Sequence, residues 1–243
     1  MKKIITITLL ILCYAFSVCG EDKIKDNSVI HFEIGYTYLN GNGVPKDYAK
    51  AAKWFRRAAI QGHVEAQFFL GSLYDIGDGV AKDKVEACKW YRKASDQGHM
   101  MGQFCLGLNY EHGLGVPKDY VQAVGLYRKS AEQGYADAQR SLGLFYYSGL
   151  GIPRDYLKAI KWFTKAAEQG HAEAQCDLGF MFAKGLGVLS NSGIAYAWFN
   201  VAKASGSKPA AGNLDAIEKT MSPLQIEEAQ KLSRTIWDRI NNK

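Results

Sequence analysis

Proline is scarce in this chain of 243 residues, with 5 prolines set against 25 glycines. No Ser/Pro-rich stretch and no run of one charge interrupts it, so nothing reads as a flexible linker between domains. A phosphate loop of the form Gly-x-x-x-x-Gly-Lys-Ser/Thr is also missing, which removes the commonest nucleotide-binding signature. Charge of one sign is modest at +6, and basic and acidic residues intersperse along the chain, which argues against a nucleic-acid partner. What is present is apolar: 47% of the residues are hydrophobic and 12% aromatic, enough for a sizeable core and too much for a disordered segment.

The first 20 residues differ from the rest. Lys2 and Lys3 precede an apolar run from Ile4 to Val18, and Cys19-Gly20 then leads into Glu21 and Asp22. This is the pattern of a secretory signal peptide, with cleavage expected after Gly20. Lipidation at Cys19 and an uncleaved anchor are the alternatives, and Phe16-Ser17-Val18 fits the lipid signal poorly. Removal of the leader leaves a net charge of +4, since the two lysines go with it. It also leaves three cysteines, Cys88, Cys105 and Cys176, and an odd number keeps at least one thiol unpaired. Cys88 and Cys105 fall on helices expected to pack together, so a disulfide between them is open.

The dominant signal is a repeat of 36 residues. Gln61-Gly62, Gln97-Gly98, Gln133-Gly134 and Gln169-Gly170 recur at that period, as do Leu70-Gly71, Leu106-Gly107, Leu142-Gly143 and Leu178-Gly179. Tyr38, Tyr74, Tyr110, Tyr146 and Phe182 form a third series. Several residue types sharing one period identify a repeat architecture.

Within each unit the spacing is helical. Ala66, Leu70, Gly71 and Tyr74 share one face of a first helix. Gly77 stops it, and the equivalents are Gly41, Gly113, Gly149 and Gly185. Asp47, Asp83, Asp119 and Asp155 stand where a second helix needs its cap. That helix carries Trp54-Phe55, Trp90-Tyr91 or Trp162-Phe163 and closes at Gln-Gly. The glycine of each Leu-Gly pair lies inside a helix and implies close approach of a Trp or Tyr from the paired helix. A single hairpin cannot bury its faces, so stacking into a superhelix with a concave and a convex side is expected.

The run Ala66-Gln67, Leu70-Gly71, Tyr74, Gly77, Gly79-Val80, Asp83, Ala87, Trp90-Tyr91, Ala94 and Gln97-Gly98 resembles the Sel1-like repeat of the tetratricopeptide superfamily. The resemblance implies an all-α fold: a right-handed superhelical solenoid of five helix-hairpin repeats at 27–62, 63–98, 99–134, 135–170 and 171–206. The fifth copy departs from the pattern, with Leu189-Ser190-Asn191 in place of Pro-Lys-Asp. Residues 207–243 read as a pair of capping helices, the last opened by Ser222, Pro223 and Gln225.

The resemblance also implies protein–protein interaction through the first helices. The residues expected on the concave face are Phe32, Phe68, Phe104, Arg140 and Cys176, two before each Leu-Gly pair or its equivalent, and Tyr36, Ser72, Leu108, Leu144 and Phe180, two after. An aromatic ladder for a peptide is one reading; packing between neighbouring first helices is the other. Phe68 and Phe104 are the expected anchors. His63, His99 and His171 hold equivalent positions in three repeats, at least one period and so about 10 Å or more apart in a stacked solenoid, whereas zinc ligands gather within about 2.1 Å of the ion; no metal and no cofactor is expected. Ser205-Gly206-Ser207-Lys208 matches Ser-x-x-Lys, but no Ser-Asp-Asn or Lys-Thr-Gly accompanies it. Cysteine-rich relatives of this family are named for β-lactam activity, and their disulfide in every repeat is missing here. The expected function is an exported, non-enzymatic scaffold for a protein or peptide, acting in host interaction or envelope processes, periplasmic or secreted, with no stable membrane insertion after cleavage. A weak β-lactam or peptidoglycan hydrolase is the alternative.

Overall fold

A computed structural model describes residues 27–242, and the leader read from the sequence lies outside that range. Twelve α-helices and no strand occur among the described residues: α1 Ser28–Asn40, α2 Tyr48–Ile60, α3 Val64–Ile76, α4 Lys84–Asp96, α5 Met100–His112, α6 Tyr120–Glu132, α7 Ala136–Ser148, α8 Tyr156–Ala167, α9 Ala172–Lys184, α10 Ser192–Ala204, α11 Lys208–Glu218 and α12 Pro223–Asn241. The odd-numbered helices from α1 to α9 are the first helices of the repeats, and the even-numbered ones from α2 to α10 are the second. The chain divides into two compact units, Met1–Lys118 and Asp119–Lys243. The first holds α1 to α5 and the second α6 to α12.

The ends of the helices follow from side-chain chemistry. Asp47, Asp83, Asp119 and Asp155 each accept a backbone N–H in the first turn of a second helix, and Asn191 does the same for α10. The fifth repeat thus keeps its cap with a change of residue type, because Asn and Asp serve equally well there. Gly77 closes α3 in the left-handed region at φ 95°. Gly79, at φ 70°, has a second constraint: a Cβ there would lie 2.2 Å from the carbonyl carbon of Tyr48. The loop of one hairpin rests on the start of the second helix of the hairpin before it, and only a glycine permits that approach.

Within the first unit, α1 pairs with α2 and α3 with α4, and α3 also packs on α2. Ala51, Phe55, Ala58, Ala66, Leu70, Ala87, Tyr91 and Ala94 are buried in this packing. The glycines of the Leu-Gly pairs admit a ring at close range. A Cβ on Gly35 would meet Phe55 at 2.7 Å, and one on Gly71 would meet Tyr91 at 2.8 Å. The ring is that of the residue after the tryptophan. Trp54 stays half-buried under Arg57, whose guanidinium lies 4.5 Å from the indole centroid.

The second unit repeats the arrangement with α7·α8 and α9·α10, and then closes. The helices α11 and α12 both pack on α10. Ala210, Leu214 and Ala229 cover a cluster formed by Cys176, Ala195, Tyr196, Phe199 and Ala202. Ser222 and Gln225 form a reciprocal capping box at the head of α12.

Buried glutamines tie repeat to repeat. Gln67 Nε2 donates to Ala59 O at 3.2 Å, Gln139 to Ala131 O at 3.1 Å and Gln175 to Ala167 O at 3.1 Å. Each crosses from a first helix to the end of the preceding second helix. The free oxygen of the amide is then met from the repeat's own end: Gln97 Nε2 donates to Gln67 Oε1 at 2.8 Å, and Gln169 Nε2 to Gln139 Oε1 at 2.7 Å. These pairs account for the recurrence of Ala-Gln and Gln-Gly at one period, since a buried amide must be satisfied at both ends.

Candidate functional site

In the first unit the exposed or half-buried side chains of the first helices include Val29, Phe32, Glu33 and Tyr36 on α1 and Glu65, Phe68, Phe69 and Ser72 on α3. Tyr36 is 40% exposed. Phe69, which the sequence reading passed over, meets it edge-on with ring centroids 5.9 Å apart. Phe32, Phe68 and Phe69 are all half-buried, and Phe69 also stacks on the buried Phe55 at 5.3 Å. Phe32 stacks on His63 at 4.5 Å and also touches Phe55 and Phe69, while Phe68 stacks on His99 at 4.7 Å. Through these histidines both rings contact the hairpin that follows. Phe104 and Leu108 are half-buried on α5.

In the second unit the same two columns diverge. Arg140, at the position of Phe68, donates from Nε to Asp177 Oδ2 at 2.7 Å. Asp177 stands at the position of Phe69, so an ion pair here replaces the contact that Phe32 makes with Phe69 in the first unit. Burial raises the Asp177 carboxyl above its ordinary range, and the Arg140 guanidinium opposes that rise. Cys176 is buried and accepts from Asn213 Nδ2 at 3.4 Å. Leu144 is half-buried, and Phe180, at 36% exposure, meets Tyr147 edge-on at 6.3 Å. Phe180 is thus exposed as its position in the repeat leads one to expect, while Arg140 and Cys176 are engaged within the fold.

Charge is sorted by helix. α1, α3 and α5 contain no lysine or arginine and carry four acids, Glu33, Glu65, Asp75 and Glu111. Their partners α2 and α4 carry eight basic residues against Glu86 and Asp96. Read along the chain the signs intersperse; the alternation of helices separates them onto different faces. Several of the cations are held over rings: Arg56 on Tyr74, Arg92 on Tyr110 and Lys93 on Trp90, at 4.2–5.6 Å from the centroids.

The histidines act as caps. Nδ1 of His63 accepts from Ala66 N at 3.3 Å, that of His99 from Gly102 N at 3.0 Å, and that of His171 from Ala174 N at 3.3 Å. Among the described residues no group of three or more His, Cys, Asp or Glu side chains is arranged to hold a metal ion. The three cysteines are free. Cys88 donates to Leu114 O at 3.1 Å and accepts from Asn109, whereas Cys105, one turn away on α5, lies against the Tyr91 hydroxyl. That one-turn offset explains why the open disulfide is not formed. Burial raises all three thiols, Cys105 to about 11, so none is a ready nucleophile. Ser205 ends α10 and Lys208 begins α11, so the Ser-x-x-Lys match spans two helices rather than one turn of a single helix.

The Sel1 repeat family model matches residues 31–63, 64–99, 101–135, 136–171 and 172–207. The chain is similar to the crystal structure of c5321, a protective antigen of uropathogenic Escherichia coli strains displaying an SLR fold, at 32% identity and a TM-score of 0.85; the match covers 97% of this chain and spans 53% of that one. A Sel1 repeat protein from Oxalobacter formigenes is similar at 33% identity and a TM-score of 0.78, with 97% of both chains covered. A search of the curated proteins finds no match. Sel1 repeats form all-α solenoids that are generally protein–protein interaction scaffolds and typically non-catalytic. Five copies of the repeat, the Gly-to-ring packing and the capped helix pairs place this chain in the Sel1 repeat family.

Proposed function

We propose that this protein is an exported, non-catalytic scaffold that binds a protein or peptide partner through the outward face of its first helices. The observation that carries this reading is the Tyr36–Phe69 pair. Tyr36 is 40% exposed and packed edge-on against a half-buried ring. Tyr36 lies outside the repeat core and Phe69 is anchored to it by stacking on the buried Phe55 at 5.3 Å; large rings held in place before a partner arrives are what binding surfaces concentrate. Val29, Ile76 and Met101 extend the apolar character of α1, α3 and α5. Among the described residues no helix is long and apolar enough to cross a membrane, and the basic–apolar–small pattern of residues 1–20 supports export.

A photo-crosslinking residue placed at position 36 or at position 53, on the second-helix side, tests the surface. Crosslinks to a partner are expected from position 36 and not from position 53; the reverse overturns the reading. Mass spectrometry of protein recovered from cells tests export, with a chain beginning at Glu21 expected outside the cytosol. Nitrocefin turnover above background that is lost in Ser205→Ala would overturn the non-catalytic reading.

A further inference from the structure

The first unit joins an aromatic pair to a set of carboxylates with no lysine or arginine on the same helices. Phe32 is the hub: it touches Tyr36 and Phe69 at 5.9 Å each and stacks on His63 at 4.5 Å. Glu65 Oε2 lies 3.5 Å from His63 Nδ1. Glu33 is exposed, follows Phe32 in the chain and shares a face of α1 with Tyr36, three residues on. Glu65 likewise shares a face of α3 with Phe69, four residues on. Two exposed carboxylates therefore flank two rings. Cations of the paired helices that reach α1 and α3 are engaged toward the C-terminal ends of those helices: Lys50 over Tyr38, Arg56 over Tyr74, and Lys84 with Asp75 at 2.6 Å.

Resting on the reading of this face as the binding surface, we propose that it selects a cationic partner: a segment in which lysine or arginine side chains alternate with apolar ones. Three kinds of chemistry support that choice. The exposed ring of Tyr36 attracts an ammonium or guanidinium group. Glu33 and Glu65 accept charge-assisted hydrogen bonds from it. With no lysine or arginine on α1 and α3, an acidic segment would meet the exposed Glu33 and Glu65 beside the rings and be repelled. The basic side of α2 and α4 has the opposite preference, so the two sides of the unit discriminate between partners by sign.

Fluorescence anisotropy with three labelled peptides, alternating leucine with lysine, glutamine or glutamate, tests this on the full-length mature protein. The lysine peptide is expected to bind most tightly, to weaken with added salt, and to lose about tenfold in affinity in the double variant Glu33→Gln/Glu65→Gln. Its affinity is expected to be unchanged in Lys53→Gln/Lys89→Gln. Equal binding of the lysine and glutamine peptides, both weakened by Tyr36→Ala, would overturn the cationic preference and leave the binding face standing. Preference for the glutamate peptide, lost in Lys53→Gln/Lys89→Gln, would overturn both. Far-UV circular dichroism of each variant confirms that these exposed substitutions leave the helices formed.

Discussion

At Gly143 a Cβ would lie 2.6 Å from both Cδ1 and Cε1 of Phe163, whose ring is 1% exposed and has no room to retreat. Gly143→Ala gains about 1 kcal/mol of helix propensity, yet overpacking of a filled core costs about 1–3 kcal/mol. The expected net result is a lower melting temperature by calorimetry; a rise would show that the ring yields. A different residue-scale test concerns Gln175. Its Nε2 is bonded to Ala167 O, but its buried Oε1 has no hydrogen-bond partner. In the repeats of Gln67 and Gln139 that oxygen accepts from the closing glutamine, Gln97 or Gln169. The fifth repeat ends in Ser205 instead, too short to reach. Ser205→Gln is expected to complete the pair and stabilise the protein by about 1 kcal/mol, read as a higher urea midpoint. An unchanged midpoint would mean that the oxygen costs nothing as it stands.

At the scale of the helix, caps divide into two chemical classes. The second helices use Asp or Asn, whereas α3, α5 and α9 use a histidine whose unprotonated Nδ1 accepts a backbone N–H. Protonation removes that acceptor and sets a positive charge at a helix N-terminus, which the macrodipole disfavours. At His171 the Nε2 also lies 3.1 Å from Asp137 Oδ1. His99 is the clearer case: burial lowers its pKa below the ordinary 6.5, and Glu65 opposes the shift. With the folded pKa depressed, the unfolded chain binds the proton more readily. The stabilisation is therefore complete above about pH 6.5 and is lost as pH falls from there through the folded pKa. His99→Asn keeps an acceptor that does not titrate, so its melting temperature is expected to fall less than the wild type between pH 7 and pH 5; parallel curves would refute the role of the cap. The Asp caps, the left-handed glycines and the box at Ser222 were legible because each is a local rule with a fixed residue type. How far each ring of the first helices is covered was not, since a helix places adjacent residues about 100° apart and the crossing of neighbouring helices decides it: Phe68 and Phe69 are both half-buried, while Tyr36 is 40% exposed. The histidine caps were visible as a recurring residue, with nothing in the spacing to say what it did.

At the scale of the whole chain, repetition makes stability a sum of hairpins and of the contacts between neighbours, and it leaves each end with an apolar face to cover. Sorting of charge by helix holds within the first unit, where the acids of α1, α3 and α5 and the bases of α2 and α4 intersperse in the sequence, whereas α7 and α9 of the second unit carry Arg140 and Lys184. The C-terminal end shows how the apolar face is closed. Tyr196, Phe199 and Ala202 of α10 would meet solvent if α10 were the last helix; instead Ala210 and Leu214 of α11 and Ala229 of α12 lie over them. The cover is amphipathic, with Lys208, Lys219 and Lys231 turned outward, and that polar outer side is what a terminal cap needs for solubility. The contact also holds Cys176 of the preceding helix against Asn213, so the cap reaches past α10 to its hairpin partner α9. Truncation after Gly206 is expected to expose this cluster. Each buried phenylalanine-sized side chain returned to water costs about 1.5–3 kcal/mol, and the hairpins behind it lose the neighbour that sustains them. The shortened chain should melt well below the full-length protein and elute as aggregates in size-exclusion chromatography, while Trp237→Ala, at a 36% exposed site on α12, should elute as the full-length protein does. A truncated chain that stays monodisperse with an unchanged melting temperature would show that α10 ends the solenoid unaided.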